Sequence, residues 1–356
     1  MMQPLYLISS SSISPQHTYD AEQFLQPVMT SDNGILNVID ADYAKYISPV
    51  AIRRMSRMLK IGITAGMACI EASGVASPNA IIIGTAHGSV TDMENFLKDM
   101  IRLEEQALNP TSFIQSTYNS VNGWIAMMTK CTGYNQTYVH RGFSFELTLL
   151  DAQMMLAEAT EKQYILTGGF DELTPEYNTI HRKVNYFKQE TFNSLSLFDH
   201  YDTPGSIAGE GANFFMLSNE QCNAACAIHT IKMLQKPTSE ELIAGINEAL
   251  AENGLTNADI DVMMTGMNGD SRSKHLADTL LGSCTPNTTI TTFKQLSGEY
   301  YTASGFGLWL CDHLFKIQRV PVEIVYRQGS ATIIKNMLFC NVTVNGCVSV
   351  VVMRGC

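Results

Sequence analysis

"TYVHRGFSFELTLLDAQMMLAEATEKQYILTGGFDEL", residues 137–173, runs from a strand-like segment through a tight turn at Gly142 into a helix-length stretch, then into a second strand-like segment with a double glycine. This is the pattern of a βαβ unit, in which a helix crosses between two parallel strands. Ligands gather at the carboxyl ends of parallel strands, so the turn around 140–144 is the first place to look for chemistry.

The alternation extends in both directions. "NAIIIGTAHG" (79–88) reads as a buried strand entering a glycine loop, and "GEGANFFML" (209–217) as a glycine loop entering a strand. Residues 53–74 place Met55, Met58, Leu59, Ile63, Met67 and Ile70 on one helical stripe, with Gly62, Gly66 and Cys69 permitting close packing. A methionine stripe at this spacing is core, not a binding groove. After residue 220 strands and helices recur: "CAIHTIKML", a helix over 237–253, "DIDVMMTGMNGD", a helix near 271–281, "TTFKQLSG", a helix over 299–316 and "LFCNVTVNGCVSVVVM" (338–353). The expected fold class is α/β, two βαβ-rich halves, 1–220 and 221–356, fused into one layered body without a linker.

Composition narrows the function classes. The 356 residues are 45% hydrophobic and 16% charged, which suits a sizeable core. A net charge of −11 speaks against nucleic acid or an anionic membrane as partner. The densest basic run, Arg53, Arg54, Arg57 and Lys60, reads as a solvated helix face. Nine cysteines lack paired metal-ligand spacing, His275 and His313 lack a second histidine four residues on, and "GEGANF" lacks a Walker lysine. Reduced thiols, no metal and no nucleotide cofactor are expected. His87, in "GTAHGS", reads as a loop histidine. The first residues carry no signal-peptide pattern, and about 18 uninterrupted apolar residues occur nowhere, so a soluble cytoplasmic protein is expected.

Four landmarks taken in order resemble the β-ketoacyl synthases of the thiolase fold across essentially the whole chain: "NPTSFIQSTYNSVNGWIAMMTKCTGYN" (109–135), "YILTGGFDEL" (164–173), "GEGANFFML" (209–217) and "FKQLSG" (293–298). The resemblance implies a layered α-β-α-β-α body. It also implies a cysteine on the nucleophile turn that accepts an acyl chain from a carrier thioester, and two histidines that assist decarboxylation and condensation. None of the three is present. Counting back from Gly168 puts the cysteine position at Phe143, or at Ser144 with a one-residue shift; the first His-Gly becomes Thr265-Gly266, the second histidine becomes Glu299, and Lys294 is retained. Phenylalanine cannot form a thioester. Glu299, after Gly298 at the mouth of the predicted helix 299–316, is expected to be held ionised by the helix dipole and free N–H groups, where it would repel an enolate.

Three readings follow. One is a non-catalytic ketosynthase-like subunit, similar to chain-length factors, that pairs with a catalytic ketosynthase in fatty acid, polyketide or aryl-polyene synthesis. In it Phe143 plugs the site and Glu299 makes structural hydrogen bonds. The second is a diverged acyltransferase, thioesterase or malonyl decarboxylase with Ser144 as nucleophile, His140 or Glu299 as base and Thr265 as donor. The third is a homodimeric scaffold. Acyl carrier protein, bearing a phosphopantetheine thioester, is the partner the resemblance implies. The resembling family also pairs subunits through the region matching 109–141, where Phe113, Ile114, Tyr118, Trp124, Ile125, Met127 and Met128 suit an interface, or, from Trp124 onward, a core.

Overall fold

A computed structural model describes residues 3–19 and 24–356. Its strands are β1 (Leu5–Ile13), β2 (Ile35–Leu36), β3 (Ala80–Thr85), β4 (Tyr134–Val139), β5 (Tyr164–Asp171), β6 (Ala208–Gly209), β7 (Gly211–Ser218), β8 (Cys226–Gln235), β9 (Val262–Gly266), β10 (Thr289–Thr292), β11 (Val325–Arg327), β12 (Asn336–Val342) and β13 (Cys347–Gly355). Eleven of them form a single sheet in the order β11-β10-β9-β12-β13-β8-β1-β7-β5-β3-β4, and β2 pairs with β6 alone.

The sheet repeats one plan. β1 is antiparallel to β7, β7 to β5, while β5, β3 and β4 run parallel. In the same way β8 is antiparallel to β13, β13 to β12, while β12, β9 and β10 run parallel, and β11 adds an antiparallel edge. Among the described residues, the two sets are joined in the sheet where Leu5 and Tyr6 pair with Ile228 and Ala227.

Side-chain alternation then builds the layers. Ile82, Ile165 and Leu217 from the first set, and Met264, Phe339, Val351 and Met353 from the second, pack on one shared pair of helices, Ser144–Glu158 and Ser304–Ile317. The opposite face of the first set, with Ile81, Ile83, Leu166 and Phe214, is covered by Arg57–Ser73 and Ser120–Thr129. The opposite face of the second, with Met263, Leu338, Val348 and Val350, is covered by Ser239–Ala251 and Lys274–Ser283. The result is an α-β-α-β-α body, as expected. Helix Ser304–Ile317 is buried over nearly all its length, which is why it is apolar on every side.

Three sequence expectations change. Arg57 is not on a solvated face: its guanidinium pairs at 2.8 Å with the buried Glu210 of "GEGANF", whose carboxylate also accepts from Val38 N and Leu173 N. Met67 is only half-buried, although the rest of its stripe is core. The helix expected over 299–316 starts at Ser304, so Glu299 does not lie at its mouth. Instead Glu299 is extended beside β6, donating its N–H to Ile207 O and accepting from Gly209 N.

Candidate active site

The turn between β4 and helix Ser144–Glu158 is tight because Gly142 N and Ser144 N both donate to the His140 carbonyl. Its helix packs directly on β3: a Cβ on Gly84 would lie 2.3 Å from Ser144 O, so only glycine permits this approach. Phe143 occupies the residue before the helix and is buried, its ring 5.4 Å from that of His140.

Ser144 is committed to structure. Its Oγ lies 2.9 Å from Thr85 O and 2.5 Å from His140 O as donor, and accepts from His140 N at 2.8 Å. The His140 ring accepts from Phe143 N through Nδ1 at 3.3 Å, so the imidazole serves the turn and does not face the hydroxyl. The expected Ser144–His140 nucleophile and base pair is therefore corrected: the hydroxyl proton goes to a backbone carbonyl. Ser144→Ala is expected to lower stability by about 1–3 kcal/mol, because buried backbone groups lose their partner. Urea unfolding measures it.

The positions in the second half lie beside the central helices. Thr265, the residue before the end of β9, is fully buried and donates its hydroxyl to Thr291 O at 3.0 Å, so the free donor expected there is already used. Lys294 and Glu299 are both fully buried and form an ion pair at 2.8 Å, while Val344 N donates to Glu299 Oε1 at 3.4 Å. Burial pushes the Glu299 carboxyl above the ordinary carboxylate range, and Lys294 acts against that rise. Glu299 is thus governed by a lysine and desolvation, not by the helix dipole first assigned to it.

Two carboxylates that the sequence reading passed over complete the site. Glu146, one turn into helix Ser144–Glu158, is 1% exposed and accepts from Ser349 Oγ at 2.9 Å. Its pKa is also raised by burial, opposed by Ser304, Ser349 and Lys294. A lone acid in the apolar run "SFELTLL" was the available signal. Asp171, at the end of β5, accepts from Thr85 Oγ1, Ala86 N, Thr302 N and Thr302 Oγ1, and so ties two strand ends to the turn before helix Ser304–Ile317. Burial pushes it up to about 6 despite these four donors.

At the end of β3, His87 packs against Tyr177 and Tyr301, with His181 stacked on Tyr177. Burial and the nearby Arg141 pull His87 down to about 4, so it is neutral at physiological pH. His313 stacks against Phe24 and lies over Trp309, and no three metal-ligating side chains converge among the described residues. All nine cysteines are free thiols. A cavity of about 500 Å³ is lined by Lys236, Arg272, His275, Val344 and Asn345 among others. Through the Val344 N–H it adjoins the Lys294–Glu299 pair.

The segment 109–141 forms an outer surface. Among the described residues β4 is one of the two edges of the sheet, and Phe113, Ile114 and Met127 are 55%, 62% and 65% exposed, whereas Ile125 is core and Trp124 packs against it. The buried Asn122 donates its Nδ2 to Gln136 O, while its Oδ1 is left without a partner among the described residues. Among the described residues no helix is long and apolar enough to cross a membrane.

Residues 33–193 match the family model described as beta-ketoacyl synthase, N-terminal domain. No curated protein matches the sequence. Among solved structures, the ishigamide ketosynthase/chain length factor superposes with a TM-score of 0.80 at 15% identity, covering 100% of both chains. A beta-ketoacyl synthase from Burkholderia phymatum STM815 gives 0.78 at 12% identity, again over 100% of both. A type II polyketide synthase ketosynthase in complex with its acyl-carrier protein and bound to the hexaketide gives 0.75 at 13% identity, covering 99% of this chain and 100% of that one. With the N-terminal domain matched in sequence over residues 33–193 and the architecture shared end to end, this chain has the thiolase-like fold of the β-ketoacyl synthases.

Proposed function

We propose that the chain is a non-catalytic β-ketoacyl synthase-like subunit of the chain-length-factor type, supporting a catalytic ketosynthase in fatty acid, polyketide or aryl-polyene-type synthesis. The observation that carries this reading is the state of the three positions inferred to match the family's triad. Phe143 has no nucleophile, Thr265 has spent its hydroxyl on Thr291 O, and Glu299 is buried against Lys294. Condensation needs a thiolate and donors aimed at a developing oxyanion, and a missing donor of that kind typically costs about 3–4 kcal/mol. An anionic or proton-poor Glu299 opposes the same charge.

The partners follow from the surface. The edge strand β4, with exposed Phe113, Ile114 and Met127 beside it, suits a second ketosynthase-type subunit that continues the sheet and covers the apolar patch. Both the ketosynthase/chain length factor and the ketosynthase with its acyl-carrier protein are structural neighbours, which supports a heterodimer visited by an acyl carrier protein. The cavity with Lys236, Arg272 and His275 has the charge to receive a phosphopantetheine arm.

Co-expression with a cysteine-bearing ketosynthase tests the reading. The expected result is a co-purified heterodimer whose condensing activity survives in this chain's Ser144→Ala variant. A stable self-pair that ignores every such partner would favour a homodimeric scaffold. Intact mass after incubation with acyl- and malonyl-carrier thioesters should show no adduct and no released thiol. Turnover by the chain alone would replace the non-catalytic reading with the enzymatic one.

A further inference from the structure

Four consecutive serines, Ser9 to Ser12, stand in the middle of β1, where the flanking Leu5, Leu7 and Ile13 are core residues. A hydroxyl in a central strand is costly unless it is bonded, and each of the four is: Ser9 donates to Cys69 O at 2.7 Å, Ser10 to Asp312, Ser11 to Ala65 O, and Ser12 to Asn213 Oδ1 at 2.8 Å. Ser9 and Ser12 are buried, but Ser10 and Ser11 are only half-buried. Among the described residues β1 pairs with β8 through Leu5 and Tyr6 alone, so the two sets of strands have parted at this level. A cavity of about 440 Å³ opens there over Ser10 and Ser11. Helix Arg57–Ser73 brings Glu71 to its wall, the turn around Tyr43–Lys45 brings Asp42, Lys45 and Tyr46, and helix Ser304–Ile317 brings Trp309 and His313.

The protons around this cavity are committed, and the lone pairs are not. Ser10 and Ser11 donate to Asp312 and to Ala65 O and keep oxygen lone pairs to spare. His313 Nδ1 lies 3.1 Å from Trp309 O; a carbonyl only accepts, so Nδ1 carries the proton and Nε2 is left as an acceptor. Burial also holds His313 below its ordinary value, which keeps the ring neutral. Lys45 is engaged by Glu71 at 2.6 Å, and the Tyr46 hydroxyl donates to the same carboxylate. With Asp42 and Glu71 against Lys45, the lining is net negative. Asp312 adds nothing to this balance, because it is buried against Lys316 at 2.6 Å. The Tyr19 hydroxyl, also in the lining, is buried without a partner.

We propose that this cleft binds a small organic cation, the ammonium group of a primary alkylamine. Its N–H groups go to the Ser10 and Ser11 oxygens and to His313 Nε2, and its alkyl chain lies along the Trp309 and Tyr19 rings, whose faces attract a cation. Asp42 and Glu71 repel an anion. A bare metal ion lacks ligands, since no three His, Cys, Asp or Glu side chains converge among the described residues. The cleft shares no lining residue with Phe143, Thr265 or Glu299, so it stands independently of the proposed subunit role.

Titration of the full chain with n-butylammonium at low salt, followed through its two tryptophan indole N–H resonances, tests the site. The expected result is saturable binding that shifts Trp309 and leaves Trp124 in place, while 1-butanol, the neutral analogue, and butyrate, the anion, leave both unmoved. Tetramethylammonium, which has the charge but no N–H, is expected to bind about tenfold more weakly, the worth of hydrogen bonds made by a charged group. Glu71→Gln, at the exposed rim, should weaken butylammonium about three- to fivefold. Uptake that does not saturate and that Glu71→Gln leaves unchanged is the general attraction of an acidic chain for cations and overturns the site. Equal binding of 1-butanol or of tetramethylammonium overturns it as well, because the charge or the acceptors would then play no part. Wild type alone supplies a check should the variant not fold: its Tm should rise with butylammonium more than with equal tetramethylammonium. The same Tm in both counts against the proposal.

Discussion

Lys294→Met is expected to destabilise the protein by about 3–5 kcal/mol, since it strands buried carboxylates whose only close ammonium is removed. Lys294 and Glu299 are both fully buried, 2.8 Å apart, with Glu146 near the same ammonium. The loss should depend on pH in a stated direction. Lys294 lowers a Glu299 pKa that burial raises, so its removal lets that pKa climb further. The folded state of the variant then takes up a proton that the unfolded chain does not, and stability falls as pH rises through the folded value. Urea unfolding at pH 5 and pH 8 measures both parts. The double variant Lys294→Met, Glu299→Leu should recover most of the loss, because an apolar pair of similar volume avoids the desolvation cost. Failure of the second change to rescue the first would mean that Lys294 acts through contacts other than the pair.

Gly298→Ala should cost on the order of 3 kcal/mol, from left-handed backbone strain plus a clash that has no soft side to yield. Gly298 has φ +70, and an added Cβ would lie 2.5 Å from Ala208 O and 2.6 Å from Gly209 Cα. The crossing is mutual: a Cβ on Gly209 would meet Ser297 O at 2.0 Å. These two glycines let "KQLSGE" run against "AGEG", which is how Glu299 reaches the Ile207 carbonyl and turns toward Lys294. The same substitution should shift the Glu299–Lys294 geometry, so Gly298→Ala and Lys294→Met are expected to be non-additive. Additive losses in a double-mutant cycle would uncouple the glycine crossing from the ion pair.

Much of the architecture was legible in local pattern. Ala80–Thr85 is buried on both faces, and its unbroken apolar run already read as an interior parallel strand. The strand, turn, helix and strand of 137–173 appear in that order as β4, the turn at 140–143, helix Ser144–Glu158 and β5. The site was legible only as a set of positions. Ser144 and Thr265 were read as free hydroxyls because a sequence does not reveal that Thr85 O and Thr291 O, 59 and 26 residues away, stand ready to accept from them. Glu299 was placed on a helix because "YYTASGFGLWL" has helical composition from its start. Asp171 stops that helix short by taking the Thr302 N–H, and β6 captures the Glu299 backbone.

The sequence by itself determined the period of each element and which residues must be apolar, because helix and strand periodicity act over a few neighbouring positions. It also determined that Phe143, Thr265 and Glu299 bring no thiol and no imidazole. Only the tertiary structure decided what charge state the interior holds. Glu146, Asp171, Lys294 and Glu299 come from distant parts of the chain, and their ionisation depends on how much water each has lost and which donor faces it, quantities that exist only once the two sets of strands have closed over the central helices.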